Sequence, residues 1–562
     1  MEEELSTSSI RILLIILVLS GFLFSSCKNR RTNDYSLFPQ GTIFSGNLKT
    51  GNAFYFIRED SVKMAGVCFV DNNKAVAETI SFYADSIGAT TFIYRNETFS
   101  GKMIINPPSS EIELTLPEIT SLAIRHQTIH LKYFNKITQT IDCHERYKNP
   151  VFDNIASTKN IQYGTALGYY TSKPMNYISK DDYVHWFEEM FKTYKGAVME
   201  RGMVDLPLYF DIYQPENDNL NKRPLLLFIH GGAFFFGDKE NKTQHVLTDY
   251  LVKRGYVVAS INYRLGSSLL GTDAIERTIY REVQDTRAAL RYLVSDKDEF
   301  GIDTRQIYLA GSSAGGIVAL TTAFMDNDEV YSSIGERIFH LRENLGGLDD
   351  SGNNIKESFN IAGVVSLWGG VTDLKILDNP IPTLLFHGTD DDIIPCDKGL
   401  PFKKYMGNTI NGLFSFAWRL YGSESIHDCL TSLNISSKYV PFPGCGHEAQ
   451  IDPDGTLNEK MDIICEETGN FLYDNVSKQY FDFHLSGDTV VGKNDSTPVY
   501  QLDNLGNTSV QWQVEGGLIT KQTNDAMRVV WYSSHKTGTV AVCITNKNGV
   551  SCRKELKVKI NT

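Results

Sequence analysis

Ser313 stands at the centre of Gly311-Ser312-Ser313-Ala314-Gly315, a G-x-S-x-G pentapeptide between the apolar run Gln306-Ile307-Tyr308-Leu309-Ala310 and Gly316-Ile317-Val318-Ala319-Leu320. A strand, a sharp turn and a helix start are predicted there, with the glycines allowing a turn tight enough to lift the hydroxyl above a sheet. Such a hydroxyl becomes a nucleophile only with help. It needs an imidazole within hydrogen-bond reach to take its proton and a carboxylate to orient the imidazole and steady its charge. Both lie downstream. His387-Gly388-Thr389-Asp390-Asp391-Asp392 follows a buried-strand pattern and offers three carboxylates, and Gly444-Cys445-Gly446-His447-Glu448 sets a histidine in a glycine-lined loop after the last strand pattern. His427 falls inside a helical pattern and reads as structural. From the residues alone the base is His447, and the acid is Asp390, Asp391 or Asp392.

Acyl transfer through a serine also requires fixed N–H donors where negative charge develops on the carbonyl oxygen. His230-Gly231-Gly232-Ala233-Phe234 closes another buried run, Pro224-Leu225-Leu226-Leu227-Phe228-Ile229, with residues small enough to approach a carbonyl closely. Gly231 would make the turn, and Gly232, Ala233 and Ala314 would supply the donors. Loss of one such donor typically costs roughly 3 kcal/mol of transition-state stabilisation. Phe234, Phe235 and Phe236 either line an apolar acyl or aryl pocket or pack the core. No metal-ligand spacing, phosphate loop or dinucleotide fingerprint is present, so neither metal nor cofactor is expected.

These residues need a scaffold that brings three strand ends together. Pro207-Leu208-Tyr209-Phe210-Asp211-Ile212-Tyr213, the run ending at Ile229, Tyr256 to Tyr263, Gln306 to Ala310, Ile361 to Trp368, Thr383 to His387 and Lys438 to Phe442 read as strands. Between the third and fourth of these runs, Tyr280, Val283, Leu290 and Leu293 fall at helical spacing. Strands alternating with helical patterns predict an α/β domain over 160–476, a doubly wound, mostly parallel sheet with its site beyond the carboxyl ends of the strands. Residues 325–360 and 396–437 interrupt the pattern and are expected to cap the site. Short alternating runs predict a β-rich accessory domain over 35–150 and a β-sandwich over 484–562.

At 562 residues the chain is long enough for about three domains. Its net charge of -13 argues against nucleic-acid binding, which needs a basic surface. Near the N-terminus, thirteen apolar or small residues from Ile12 to Phe24 are too few to span a bilayer but fit a signal-peptide core. They end in Leu23-Phe24-Ser25-Ser26-Cys27, which resembles a bacterial lipobox, although Glu2, Glu3 and Glu4 make the leading segment acidic. The expectation is a signal over 1–27, lipidation at Cys27, a polar tether over 28–34 and an exported protein whose one membrane contact is a lipid anchor, in the outer membrane of a bacterium. Eight other cysteines allow disulfides in an oxidising compartment. Cys543 and Cys552 flank a hairpin centred on a four-residue turn and are expected to face each other. Cys396 follows the acid turn and Cys445 precedes the base, so a folded triad would bring this second candidate pair together.

The constellation resembles the α/β-hydrolase superfamily, and within it the carboxylesterase and hormone-sensitive-lipase-like esterases, including the bifunctional feruloyl and acetyl-xylan esterase type. The resemblance covers about Gly164 to Val476 and rests on Asp211-Ile212-Tyr213-Gln214-Pro215, His230-Gly231-Gly232, Phe236-Gly237-Asp238-Lys239, Asn262-Tyr263-Arg264, the serine pentapeptide, His387-Gly388-x-x-Asp391 and Gly446-His447. It implies Asp391 as the acid, an acyl-enzyme on Ser313, and His447 as acid and then base. The implied substrate is an acetyl or hydroxycinnamoyl ester of a polysaccharide, or another small ester. Ala233 departs from the third glycine of many relatives, and 56 positions separate Asp391 from His447, more than is usual in the hormone-sensitive-lipase branch. A prolyl-oligopeptidase-type peptidase shares the fold, but Ala314 after the serine is esterase-like. A catalytically inactive glycan-binding lipoprotein would break the triad, and every member is present. The C-terminal pattern around Trp512, Trp531 and Val542 resembles PKD-like and immunoglobulin-like modules of secreted bacterial enzymes.

Overall fold

The computed structural model describes, apart from short interruptions, residues 42–173, 203–266, 272–330, 343–402 and 419–561. Cys27, the apolar run before it and the 28–34 tether lie outside the described residues, as do 403–418 and most of 331–342 within the two stretches expected to cap the site. The chain divides into two compact units, one of His144–Phe481 and one formed by Met1–Cys143 together with Asp482–Thr562.

Eight strands build the sheet of the first unit: β1 (Ile155–Gly168), β2 (Val204–Pro215), β3 (Arg223–Ile229), β4 (Val257–Ile261), β5 (Ile302–Ser312), β6 (Ile361–Leu367), β7 (Thr383–Gly388) and β8 (Ser437–Phe442). Their order is β1-β2-β4-β3-β5-β6-β7-β8. Only β2 runs against its neighbours; all other adjacent pairs are parallel, so the sheet has the α/β-hydrolase arrangement. Near-continuous apolar runs make β3, β4 and β7 buried on both faces, as parallel strands covered by helices must be. Among the described residues the helices of ten residues or more beside the sheet are α1 (Lys242–Val252), α2 (Thr272–Ser295), α3 (Ala314–Phe324), α4 (Ser423–Ser432) and α5 (Lys460–Tyr480). On α2 the helically spaced Tyr280, Val283, Leu290 and Leu293 are all fully buried, as their period requires. The chain passes from β3 to β4 on one side and returns past β3 to β5 on the other, so the strand order reverses here, the point beyond whose carboxyl ends such sheets bind ligands.

The second unit contains a closed barrel. Thr42–Asn47, Ala53–Arg58, Lys63–Cys68, Val76–Ala84, Ala89–Tyr94, Glu97–Asn106, Glu111–Leu116 and Gln127–Lys136 pair in succession, all antiparallel, and the last pairs back with the first. Phe44, Phe54, Ile80, Met103, Leu114 and Leu131 share its buried core. The C-terminal stretch forms a four-stranded sheet of Val490–Gly492, Ser551–Asn561, Thr537–Asn546 and Thr508–Glu515. Its Ala526–Tyr532 strand pairs elsewhere, running parallel to Val76–Ala84 with Trp531 opposite Val76. The β-rich stretches that sequence texture separates, 35–150 and 484–562, are therefore joined through shared strands.

Both expected disulfides are corrected. Cys543 is bonded to Cys143, with Cα atoms 5.8 Å apart and a sequence separation of 400. In the hairpin Cys543 faces Arg553, while Cys552 faces Ile544. The turn is one residue longer than a hairpin centred between the cysteines allows, and a one-residue offset turns the two side chains to opposite faces. Cys396 and Cys445 are separate thiols. Cys396 Sγ lies 2.8 Å from the Tyr439 hydroxyl on β8, while the Cys445 carbonyl accepts from the Asp390 N–H at the end of β7.

Candidate active site

Ser313 lies between β5 and α3 with φ 56° and ψ -121°. A non-glycine residue held there stores roughly 1–3 kcal/mol of strain, which persists because the neighbouring chain leaves no alternative. A Cβ on Gly311 would sit 2.0 Å from the Gly315 carbonyl oxygen, and one on Gly315 would sit 2.1 Å from that of Ile229. Residue types at positions -2 and +2 are thus dictated by backbone packed against backbone. The Ser313 N–H donates to the Leu367 carbonyl at 2.9 Å, and the Trp368 indole donates to Ser312 Oγ at 3.0 Å.

His447 Nε2 is 2.8 Å from Ser313 Oγ, and His447 Nδ1 is 2.7 Å from Asp391 Oδ2. The structure thus brings Ser313, His447 and Asp391 into one hydrogen-bonded line from three strand ends, those of β5, β8 and β7. Serine and histidine are each 8% exposed, so the pair is sheltered yet still reached by solvent. Asp390 and Asp392 are exposed, whereas the Asp391 side chain is fully buried, so the choice that the residues left open is decided by which carboxylate turns inward. Asp391 Oδ1 accepts from the Ile393 and Ile394 N–H groups at 2.8 and 3.0 Å. Burial alone would push its carboxyl up, but His447 and His387 beside it outweigh that and hold it below the usual carboxylate range. It is therefore ionised at neutral pH. The imidazole tautomer follows: Nδ1–H donates to Asp391, leaving Nε2 to accept the serine proton.

The turn after β3 faces this serine. A Cβ on Gly231 would lie 2.7 Å from the Ser312 carbonyl oxygen and 3.1 Å from Ser313 Cβ. Gly232, Ala233 and Phe234 all have positive φ, at 126°, 51° and 72°. Phe235 and Phe236 N–H groups close the turn on the Gly232 carbonyl. Among the described residues, no acceptor meets the N–H groups of Gly232, Ala233 and Ala314, leaving them available to an incoming oxyanion. Ala233, though not a glycine, keeps its backbone donor. Phe234, Phe235 and Phe236 are 3–5% exposed and belong to the hydrophobic core of the unit.

Several quoted motifs brace this turn rather than do chemistry. Tyr263 stacks on His230, ring centroids 4.4 Å apart, and its hydroxyl donates to the His230 carbonyl at 2.6 Å. His230 Nδ1 lies 2.8 Å from the Gly231 carbonyl, and burial lowers its pKa to about 4. Asn262 Oδ1 accepts from the Lys239 N–H, Lys239 Nζ pairs with buried Asp211, and Arg264 pairs with buried Asp285. His427, read as structural, sits on α4 with Nδ1 3.0 Å from Ser437 Oγ. Sequence reasoning used His387 only as a motif marker and passed over Ser423 and Trp368; all three contact the triad or its neighbours. A polar cleft of about 760 Å³ lined by β1 residues, Arg264 and 343–345 with 350–355 contains none of the triad residues.

The BD-FAE family matches residues 210–381. A probable isoprenylcysteine alpha-carbonyl methylesterase of Arabidopsis thaliana is 27% identical over 217 residues, 34% of this chain and 43% of the relative. Lipase 1 of Geotrichum candidum is 31% identical over 140 residues, 24% of each chain. Both matches span less than half of the relative's length. Among solved structures, Thermogutta terrifontis esterase 2 phosphorylated by paraoxon is 18% identical, with a TM-score of 0.33 over 48% of this chain and 89% of its own.

Proposed function

We propose that the protein is a serine carboxylic-ester hydrolase. The observation that carries this reading is the unbroken hydrogen-bonded line Ser313–His447–Asp391, beside N–H donors that meet no acceptor among the described residues. In the first half-reaction Ser313 Oγ attacks the ester carbonyl carbon while His447 Nε2 takes its proton. The carbonyl oxygen becomes an oxyanion held by the N–H groups of Gly232, Ala233 and Ala314. Collapse breaks the bond to the leaving alcohol, which receives the proton from His447. Water then gives a proton to the same nitrogen, attacks the acyl-serine, and releases the acid as Ser313 regains its hydrogen. Asp391 keeps its negative charge throughout.

Acetyl or feruloyl esters of polysaccharides, or other small esters, are proposed as the substrate class, in keeping with the match to BD-FAE over 210–381. Export and a lipid anchor at Cys27 belong to the same proposal, supported by the Cys143–Cys543 disulfide, a bond that persists in oxidising compartments. The C-terminal strands are proposed as the PKD-like module of such an exported enzyme. The decisive assay compares the protein lacking its first 27 residues with Ser313→Ala and His447→Ala on p-nitrophenyl acetate, methyl ferulate and a prolyl peptide. Each substitution is expected to lower kcat on the esters by at least about 10⁴-fold, with no turnover of the peptide by any form. Equal ester hydrolysis by wild type and Ser313→Ala would overturn the reading.

A further inference from the structure

The acid of the triad has a second imidazole on it. His387, on β7, is fully buried, and its Nε2 lies 3.3 Å from Asp391 Oδ2 and 3.0 Å from the Ile394 carbonyl oxygen. Both neighbours are acceptors, so the proton must be on Nε2. Nδ1 lies 2.8 Å from Ser423 Oγ. That hydroxyl has one hydrogen and two acceptors in reach, Nδ1 at 2.8 Å and the Phe386 carbonyl at 3.4 Å, and the shorter contact assigns it to Nδ1. Ser423 thereby anchors the far side of the ring in the tautomer that the Ile394 carbonyl and Asp391 require. Ile393 and Ile394 N–H groups sit on one oxygen of Asp391 and His447 on the other, and the His387 N–H, bonded to the Ile394 carbonyl at 3.0 Å, also faces that second oxygen at 3.3 Å.

Ser423 is itself firmly placed. It opens α4 behind Gly422, where a Cβ would meet the Pro395 carbonyl at 1.9 Å. The Gly422 N–H donates to Asp397 and the Glu424 N–H to Cys396. These contacts fasten the start of α4 to the segment that follows the acid turn. Part of the stretch that the sequence marked as a cap thus supplies a polar group beneath the triad.

We infer that His387, oriented by Ser423, is a positioning residue for the triad: Ser423, His387, Asp391, His447 and Ser313 form one continuous line in which His387 fixes the carboxylate that orients the base. This deepens the esterase reading and rests on it. Two consequences separate it from simple core packing. A carboxylate with one donor fewer is a stronger base and retains the His447 proton to higher pH, so removing His387 moves the acid limb of kcat/KM upward. Rotational freedom of Asp391 lowers kcat while leaving substrate binding alone. The ionisable groups bearing on the His387–Asp391 pair are His447 and, beyond it, Cys396 with Tyr439 and Glu424: burial pushes the Cys396 thiol up, the Tyr439 hydroxyl opposes this, and Glu424 and then Asp391 add to the rise.

The test uses the full chain and the variants His387→Leu, His387→Gln and Ser423→Ala, with active sites counted by the p-nitrophenol released on phosphonylation of Ser313. Per titrated site, His387→Leu should lose about 100-fold in kcat with KM within about twofold, and its acid limb should rise. Glutamine can present an N–H near the position of Nε2 and should recover the activity to within about 10-fold of wild type. Ser423→Ala should show the same direction with a loss of about fivefold. An unmoved acid limb with wild-type kcat per site in His387→Leu, or a glutamine variant as poor as leucine, overturns the inference. If His387→Leu does not fold, Ser423→Ala and the imidazole ¹⁵N spectrum of the wild type decide. A protonated Nε2 on His387 with a bare Nδ1 supports the assignment, and a bare Nε2 overturns it. The spectrum does not depend on turnover, so an inactive wild type would count against the esterase reading while the hydrogen-bond assignment is still judged.

Discussion

The two halves of the site are held by different forces. On the nucleophile side, Gly231, Gly232, Gly311 and Gly315 are places where a Cβ would lie 2.0–2.7 Å from a backbone carbonyl oxygen, and Ala233, Phe234 and Ser313 have positive φ. Main chain presses on main chain, and the hydroxyl's position follows from steric necessity. On the base side, a Cβ on Gly446 would find nothing nearer than the Asp390 carbonyl at 3.8 Å, and one on Gly444 would meet nothing within 4 Å. There the imidazole is held by side-chain hydrogen bonds to Asp391 and Ser313. Gly388, whose Cβ would meet the Cys445 and Gly446 carbonyls at 2.3 Å each, is a tight point where the acid strand presses on the base loop. The contrast predicts two failure modes: removing a polar atom should silence the base side without unfolding it, and adding a methyl should break the nucleophile side structurally.

The largest effect is expected on the base side. Asp391→Asn keeps the volume and presents a donor or a weak acceptor to His447 Nδ1, favouring the wrong tautomer. We expect kcat to fall by about 10⁴-fold with the thermal transition changed little. Steady-state kinetics beside circular dichroism check it, and a comparable loss of folded protein would erase the contrast.

Gly315→Ala tests the other half. Its methyl would press on the Ile229 and His230 carbonyl oxygens at 2.1 and 2.4 Å, neither of which can swing away as a flexible side chain would. We expect a loss of about 3 kcal/mol in unfolding free energy, read from the urea midpoint, with poor yield of soluble protein. An alanine variant of wild-type stability would mean the elbow is less tightly held than its contacts require.

How much of this was legible in the sequence follows the same division. The nucleophile half was readable because a glycine forced by backbone contact leaves a short-range signature, as at Gly311, Gly315 and Gly231. For the acid, residue types alone left Asp390, Asp391 and Asp392 equivalent, since burial of one depends on how the turn after β7 folds inward. His387 and Ser423 meet across 36 positions, and nothing local marks that contact. The parallel strands were visible as apolar runs, yet β1 begins at Ile155, ahead of residue 160 where the pattern starts the α/β domain, because its first residues are exposed and carry no apolar period. Cys143 was never paired with Cys543, since spacing speaks only for neighbours, and the Cys552 partner failed on a one-residue register that turn length decides. Closure of the eight-stranded barrel likewise depends on Thr42–Asn47 meeting Gln127–Lys136, a long-range pairing that alternation cannot reveal.

A pH experiment sharpens the comparison from the nucleophile side. His230 is fully buried behind the oxyanion turn, its Nε2 meets no partner among the described residues, and burial depresses its pKa to about 4. Its ordinary value is about 6.5, so between pH 6.5 and 4 the unfolded chain binds a proton that the folded chain excludes, and stability falls as pH drops through that window. Between pH 7 and pH 5 the expected loss is about 2 kcal/mol. His230→Phe, which can still stack on Tyr263 and does not titrate, should show a smaller drop over the same interval in urea unfolding. Equal drops would assign the acid sensitivity elsewhere.

The smallest expected effect is the most discriminating. Gly446 immediately precedes the base, and motif reasoning alone would rank it with Gly311 and Gly315. Its φ lies outside the left-handed region, and a methyl there has open space up to 3.8 Å. Gly446→Ala removes conformational freedom from the unfolded chain at no steric cost, so stability should be unchanged or rise by about 0.5 kcal/mol. Because His447 is held through its ring nitrogens, kcat should stay within about twofold of wild type. The paired measurement with Gly315→Ala, two glycine-to-alanine changes in the loops that carry the serine and the histidine, isolates the cause. If both variants collapse, the site is sterically built throughout and the division proposed above is wrong. If only the serine-side change is damaging, the glycines of the two loops have different physical origins: contact with a neighbouring backbone at Gly315, and at Gly446 a place in a loop fastened by its hydrogen bonds to the acid turn that leaves room for a methyl.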